Sequence, residues 1–257
     1  MMRKKPMLAY PVSSKPIDYT NKISMQPKLD GVRCVIQYDA GVVTAYSRTG
    51  KQWKNIEHIT LNLYKFFNKH PNVILDGELY NHDFEQIISI VRRQKPDDID
   101  MLNSREMVQF HCYDAIDELV KFNNRHLWLT KFVPESYCVK HVKTQAVPTE
   151  SLSKVVHQQN LDAGYEGSIL RLNTEYQCKR SHSLRKFKDF HDTEATLTGW
   201  VEGKGKRAGT IGKFIAVDAD GIEFGMPVMD KFKYLQENFE EMKTWVGQTA
   251  TFTYFER

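Results

Sequence analysis

The chain has 257 residues, enough for about two domains, and its 36 Lys and Arg against 32 Asp and Glu leave a formal charge of +4. A hydrophobic share of 41% and an aromatic share of 12% support a packed core and exclude a disordered chain. The mean hydropathy is −0.52, and no apolar run approaches the roughly 18–20 residues of a membrane span, which excludes a membrane protein.

The basic start, Met1 to Lys5, is followed by no apolar segment of a secretory signal, so a cytoplasmic protein is expected. Cys34, Cys112, Cys138 and Cys178 are scattered without a CxxC pair, the pattern of buried thiols rather than a zinc ribbon or disulfide scaffold. The pI near 8.7 permits a nucleic-acid partner without demanding one.

In chain order, Arg33–Tyr38 and Val42–Ser47 flank Asp39-Ala40-Gly41 and predict a hairpin. Ile56, Ile59, Leu63, Phe66 and Phe67 share one helical face, with Asn55 as the expected N-cap and Pro71 as the stop. Val73–Leu79 predicts a strand, then Phe84, Ile87, Ile88 and Val91 a second amphipathic helix, and Val108–Asp114 another strand. Leu152, Val155, Val156 and Gln159 predict a third helix from about Thr149, before strands at Gly167–Leu172 and Ser183–Lys188.

Glycine usage then shifts, with six of 14 glycines before residue 190 and eight after it. Strands with glycine turns are expected at Ala195–Val201, Thr210–Asp218, Ile222–Phe224 and Thr249–Phe255, interrupted by a helix near Asp230–Phe239. About five strands and one helix in this stretch fit a small Greek-key barrel of the OB type, with a boundary near Phe190.

The sharpest local signal is Lys28-Leu29-Asp30-Gly31-Val32-Arg33, read as K-x-D-G-x-R. By chance it appears in about one chain of this length in a few hundred. A lysine is a nucleophile only when deprotonated, and nearby cations disfavour its charged form; Arg33 or a bound metal ion would supply them. Gly31 can take positive φ and lets a ligand approach the backbone.

The hexamer resembles the first motif of the covalent nucleotidyltransferases, which include ATP-dependent DNA ligases, RNA ligases and mRNA capping enzymes. Ser47-Arg48-Thr49-Gly50 resembles the ligase motif S-R-x-G, and Asp76-Gly77-Glu78 the D-G-E motif. Tyr113-Asp114 resembles the aromatic-Asp motif, Glu166–Arg171 the E-G-x-x-h-R motif (h apolar), and Lys186-Phe187-Lys188 the K-x-K motif. Each match is modest alone; together they occur in the family's order over about 160 residues.

The resemblance implies an α+β chain: an ATP-grasp-like adenylation domain of antiparallel sheets and helices over residues 1–189, then an OB-fold β-barrel over 190–257. It implies ATP as the nucleotide donor, carried as AMP on Lys28, with Arg33, Lys186 and Lys188 also catalytic. Gln26 and Tyr113 would contact the purine, and Arg48 and Glu78 the ribose. Glu78 and Glu166 would hold Mg²⁺ or Mn²⁺, for which carboxylate oxygens are suitable ligands. On one face of a strand, Lys186 and Lys188 would aim at one anion.

Gly199–Phe214 carries a G-K-G-K loop similar to that of small ATP-dependent DNA ligases. Lys204, Lys206, Arg207 and Lys213, with Arg48, would bind phosphates of nicked double-stranded DNA without reading sequence. The expected partner is therefore nicked duplex DNA, clamped by a monomer. RNA ligase or capping activity, or a non-catalytic DNA-binding module, are the alternatives. The family's final basic motif is not matched by Thr249–Arg257, so slow formation of the lysyl adenylate with retained closure of a pre-adenylated nick is expected.

Overall fold

The computed structural model describes residues 4–81, 83–188 and 191–254 and divides into two units, Met1–Lys188 and Asp189–Arg257. The expected boundary residue Phe190, and Phe255 and Arg257, lie outside the described residues.

In chain order the first unit holds β1 (Leu8–Pro11), β2 (Ile23–Pro27), β3 (Val32–Asp39), β4 (Val42–Tyr46), α1 (Glu57–Lys69), β5 (Ile74–Tyr80), α2 (Phe84–Val91), α3 (Asp98–Met107), β6 (Gln109–Ala115), α4 (Phe122–Phe132), β7 (Val139–His141), β8 (Gln145–Ala146), α5 (Glu150–Asp162), β9 (Ser168–Leu172) and β10 (Arg180–Phe187). Its strands form two five-stranded sheets, ordered β1-β10-β9-β2-β8 and β4-β3-β5-β6-β7. Neither is wholly antiparallel, because β1 runs parallel to β10 and β7 parallel to β6.

The hairpin forms as expected: Ala40 and Gly41 both take positive φ, 47° and 89°, the two-residue turn whose twist matches paired strands. Ile59, Leu63, Phe66 and Phe67 of α1 are buried against the second sheet with Ile36, Leu75, Leu79 and Phe110. Asn55 does not cap α1. It is 1% exposed, and its amide donates to the Ile90 and Asp100 carbonyls, so it ties the entrance of α1 to α2 and α3 instead. Thr149 does cap α5, accepting from the Leu152 N–H at 3.2 Å.

Met7, Val35, Ile74, Ile116, Tyr176 and Leu184 form a core shared by the two sheets, so the sheets face one another across packed side chains. Cys34 and Cys112 lie within the second sheet's core, and burial pushes both thiols up, which leaves them inert.

The second unit contains β11 (His191–Glu202), β12 (Ile211–Asp218), β13 (Glu223–Pro227), α6 (Phe232–Glu237), α7 (Phe239–Lys243) and β14 (Thr249–Tyr254). Its strands are all antiparallel, in the order β13-β12-β11-β14, over a core that includes Leu197, Ile211, Phe214, Leu235 and Met242. The expected closed barrel is not found: among the described residues there are four strands, and the end strands β13 and β14 do not pair. The single expected helix is two short ones, interrupted at Asn238. No helix among the described residues is long and apolar enough to cross a membrane.

Candidate active site

Lys28 follows directly on β2, where two backbone bonds hold it. Its N–H donates to the Gly167 carbonyl at 2.9 Å, and its carbonyl accepts from the Glu166 N–H at 3.2 Å. The side chains repeat the pairing: the Lys28 ammonium and the Lys188 ammonium each engage one oxygen of the Glu166 carboxylate. Residues 138 positions apart in sequence therefore meet because β2 and β9 are neighbouring strands. Gly167, at φ 139°, lets the end of β10 and Lys188 close in from the other side, since a Cβ there would lie 2.3 Å from the Phe187 carbonyl oxygen.

Gly31 serves a different purpose from the one expected. It does not adopt positive φ among the described residues; a Cβ at this position would sit 2.4 Å from the Leu79 oxygen and 2.7 Å from Glu78 Cγ. The glycine lets the chain leaving Lys28 press against β5.

On β3 and β5, Arg33 stands opposite Glu78 in register but binds its neighbour. Arg33 Nε and Nη2 donate to the two oxygens of Asp76, both at 2.6 Å, and Tyr176 adds its hydroxyl at 2.6 Å. Asp76 is fully buried, so the first carboxylate of D-G-E is consumed in fixing Arg33. The guanidinium charge is balanced at that site, and the amine of Lys28 is paired with a carboxylate rather than set among unpaired cations.

Glu78 stays partly accessible. It accepts the Tyr113 hydroxyl at 3.2 Å, and desolvation raises its carboxyl to about 8, against the opposing pull of Arg33. Because the folded state holds this proton more tightly than the unfolded chain, Glu78 contributes stability below about pH 4.5 that is lost as pH rises through about 8. Glu78→Gln should therefore be more stable than the parent at pH 9, with the difference shrinking towards pH 5. Denaturant midpoints of both proteins at these pH values check this; a difference independent of pH contradicts it.

A cavity of about 300 Å³ opens between these elements. Gln26, Lys28, Arg33, Arg48, Glu78, Tyr113 and Lys186 line it, together with Arg171, Arg180 and apolar side chains that include Leu29 and Ile169. Its charged lining is six cations against one carboxyl, whose pKa burial raises. A polyanion with an apolar, ring-bearing end suits such a lining. Lys186 lines the cavity, and Lys188 is tied to Glu166, the carboxylate that also holds Lys28. A wider cleft of about 630 Å³ along α1 and α3 contains none of the candidate catalytic or binding residues.

Buried behind the cavity is a network that joins Asp114, Arg171 and Gln26 to Arg125 and Thr144, which no motif contained. Arg125 donates to both oxygens of Asp114, at 2.8 and 2.9 Å, and Arg171 Nη1 donates to one of them at 2.8 Å. Arg171 Nε reaches Gln26 Oε1 at 2.5 Å, while Gln26 Nε2 donates to the Tyr113 carbonyl and to Thr144 Oγ1. The Gln26 amide is thereby held in one orientation. The Arg33 and Arg171 guanidiniums stand 5.0 and 5.1 Å from the centre of the Tyr113 ring, in cation–π contact. The sequence signal for Arg171 was its place at the end of the E-G-x-x-h-R motif; Arg125 and Thr144 had none.

Glu78 and Glu166 offer the hard oxygens that Mg²⁺ takes, but among the described residues no group of three or more His, Cys, Asp or Glu is placed to hold a metal ion. The donor set fits a cation that arrives with phosphate oxygens and water and takes only one or two carboxylates from the protein. In the second unit, Lys204, Lys206, Arg207 and Lys213 are all exposed on or beside the turn at Gly205–Arg207. Arg207 Nη1 donates to the Val228 carbonyl, and Gly203 fits closely against the Arg207 backbone.

The family model for the ATP dependent DNA ligase domain matches residues 6–188. A DNA ligase of Halobacterium salinarum is 24% identical over 242 residues, covering 84% of this chain and 41% of the relative. A DNA ligase of Archaeoglobus fulgidus is 25% identical over 205 residues, covering 73% and 36%. The chain thus spans about two fifths of the length of these curated relatives. A solved Lig E DNA ligase shares the fold with a TM-score of 0.78 at 22% identity, covering 99% of this chain and 93% of that one.

Proposed function

The chain belongs to the ATP-dependent DNA ligase domain family, and from that premise we propose that it seals nicks in duplex DNA with ATP through an AMP-lysine intermediate on Lys28. The observation that carries this reading is the placement of Lys28, its amine on the Glu166 carboxylate that also holds Lys188, at the wall of a cation-lined cavity of about 300 Å³.

Once out of its ion pair and deprotonated, Lys28 Nζ attacks the α-phosphorus of ATP. A P–N bond forms, the P–O bond to the β-phosphate breaks, and pyrophosphate leaves. A 5′-phosphate oxygen at the nick then attacks the same phosphorus and expels the lysine amine. Finally the 3′-hydroxyl oxygen attacks the activated 5′-phosphorus, and AMP departs. Catalysis of such transfers is mostly positioning and neutralisation of phosphate charge.

In this scheme Lys186, Arg33 and Lys188 neutralise and orient phosphate oxygens. Tyr113 and Gln26 form the purine end, with the amide orientation of Gln26 held by Arg171. Arg48 and Glu78 take the ribose. Mg²⁺, held with phosphate oxygens by Glu166 and Glu78, would compete with Lys28 for the Glu166 carboxylate and neutralise phosphate charge. We read the second unit as an OB-type module, supported by its antiparallel strands and glycine turns. Lys204, Lys206, Arg207 and Lys213 would there contact duplex phosphates.

The test is closure of a 5′-phosphorylated nick in a labelled DNA duplex with ATP and Mg²⁺, read on a denaturing gel. A sealed strand that requires ATP is the expected product. Labelling of the protein by GTP instead, or closure of an RNA nick alone, would replace the reading with a capping-type or RNA-ligase activity.

A further inference from the structure

At the edge of the first sheet, outside the residues assigned to nucleotide transfer, Tyr10 of β1 stacks on His182 of β10 with ring centres 4.0 Å apart and planes within 10°. Arg180 crosses Tyr10 at 5.6 Å from the ring centre while donating to the Ala9 carbonyl. Arg185 Nη1 donates to Ser14 Oγ and to the Lys15 carbonyl, and its Nε to the His182 carbonyl at 2.6 Å. Ser14 Oγ in turn lies 3.5 Å from His182 Nδ1. The stack is thus braced from its own strands and from the turn at Val12–Ser14.

The field here has one sign. Some exposed lysines elsewhere have acidic partners, as Lys154 has Glu150 and Lys233 has Glu237. Among the described residues, by contrast, Lys15, Arg180 and Arg185 form no ion pair. Desolvation first, and then the cations Arg185 and Lys15, hold His182 towards neutrality. The patch is continuous with the cavity: Arg180, Leu184 and Lys186 line it, and Pro11 pairs with Lys186 in the β1–β10 register.

We propose that the Tyr10–His182 stack, with the exposed Arg180 and Lys15 beside it and the buried Arg185 bracing it from within, is a docking platform for the sugar–phosphate backbone of duplex DNA beside the adenylation cavity. The inference rests on the ligase reading above. Clustered Arg and Lys with Tyr and His donors suit phosphate oxygens and fix register without reading bases. A rigid, braced stack presents those donors with little ordering cost on binding.

The experiment uses the full chain and a pre-adenylated nicked DNA duplex without ATP, titrated from about 50 to 200 mM salt. Lys15→Glu with His182→Glu should weaken binding at least tenfold at the lower salt, and Lys15→Glu alone should reduce the salt slope by about 0.9. Transfer of labelled AMP from ATP to Lys28 should be unchanged in both, which also shows that they fold. Unaltered affinity and slope in variants that still label would overturn the platform, as would failure of the parent to bind the duplex. Loss of labelling in the variants would overturn it too, by making the patch part of the cavity. Failure of the parent to label with ATP, while it still binds the duplex, would instead refute the ligase reading and leave the platform standing.

Discussion

Lys28→Ala is expected to abolish all transfer of radiolabelled AMP from ATP to the protein, while closure of a pre-adenylated nick persists. The first transfer needs a nitrogen lone pair at this position, and alanine has none. Closure of a pre-adenylated nick needs only the 3′-hydroxyl and the cations that neutralise the activated phosphate. Lys28→Arg should fail equally, because a guanidinium is not deprotonated in a protein and cannot attack phosphorus. Neither change should unfold the chain. The Lys28 side chain is 22% exposed, and Glu166 keeps its second partner, Lys188. A thermal midpoint beside the labelling assay separates loss of chemistry from loss of fold. Retained label in Lys28→Ala would move the nucleophile elsewhere and remove the basis of the proposed mechanism.

Asp114→Ala should be the most destabilising single change in the first unit. The carboxylate is fully buried and takes three donations from Arg125 and Arg171, each about 3% exposed, besides the Ala115 N–H at 2.8 Å. Its removal strands two guanidiniums in the interior, a loss of about 3–5 kcal/mol when a buried pair loses one partner. For a unit of this size that corresponds to a fall of roughly 6–20 °C in Tm. Arg171 would also release Gln26, so nucleotide labelling should weaken even below the new midpoint. Asp114→Asn keeps acceptor and shape but loses the charge, and should fall between the two proteins. An unchanged midpoint for Asp114→Ala would mean that the arginines find other acceptors.

The contrast between Asp114 and Lys28 marks how far a linear reading reaches. The order of the motifs was legible because each is local. Glycines mark close approaches at Gly31, Gly77 and Gly167, and strand alternation separates buried Phe110 and Cys112 from His111 and Tyr113. Helix periodicity located α1, α2 and α5 for the same reason. By contrast α3, whose apolar residues are few and exposed, and α4, whose pattern is weak, had no clear signal. Asn55 had the composition of a cap, but a side chain buried between three helices donates to carbonyls that no local pattern announces.

The amino-acid sequence by itself determined which residue types this protein brings to phosphate chemistry, the order in which the chain meets them, and the hairpin and strands that carry them. Those are properties of neighbours within a few residues. Only the tertiary structure decided the partners: Asp76 rather than the amine of Lys28 beside Arg33, Glu166 between two lysines, Arg171 on Gln26, and β1 at the cavity wall. Charges separated by tens to more than a hundred residues pair according to which strands become neighbours. That choice is made by burial of the whole apolar surface of both sheets, which no single motif contains.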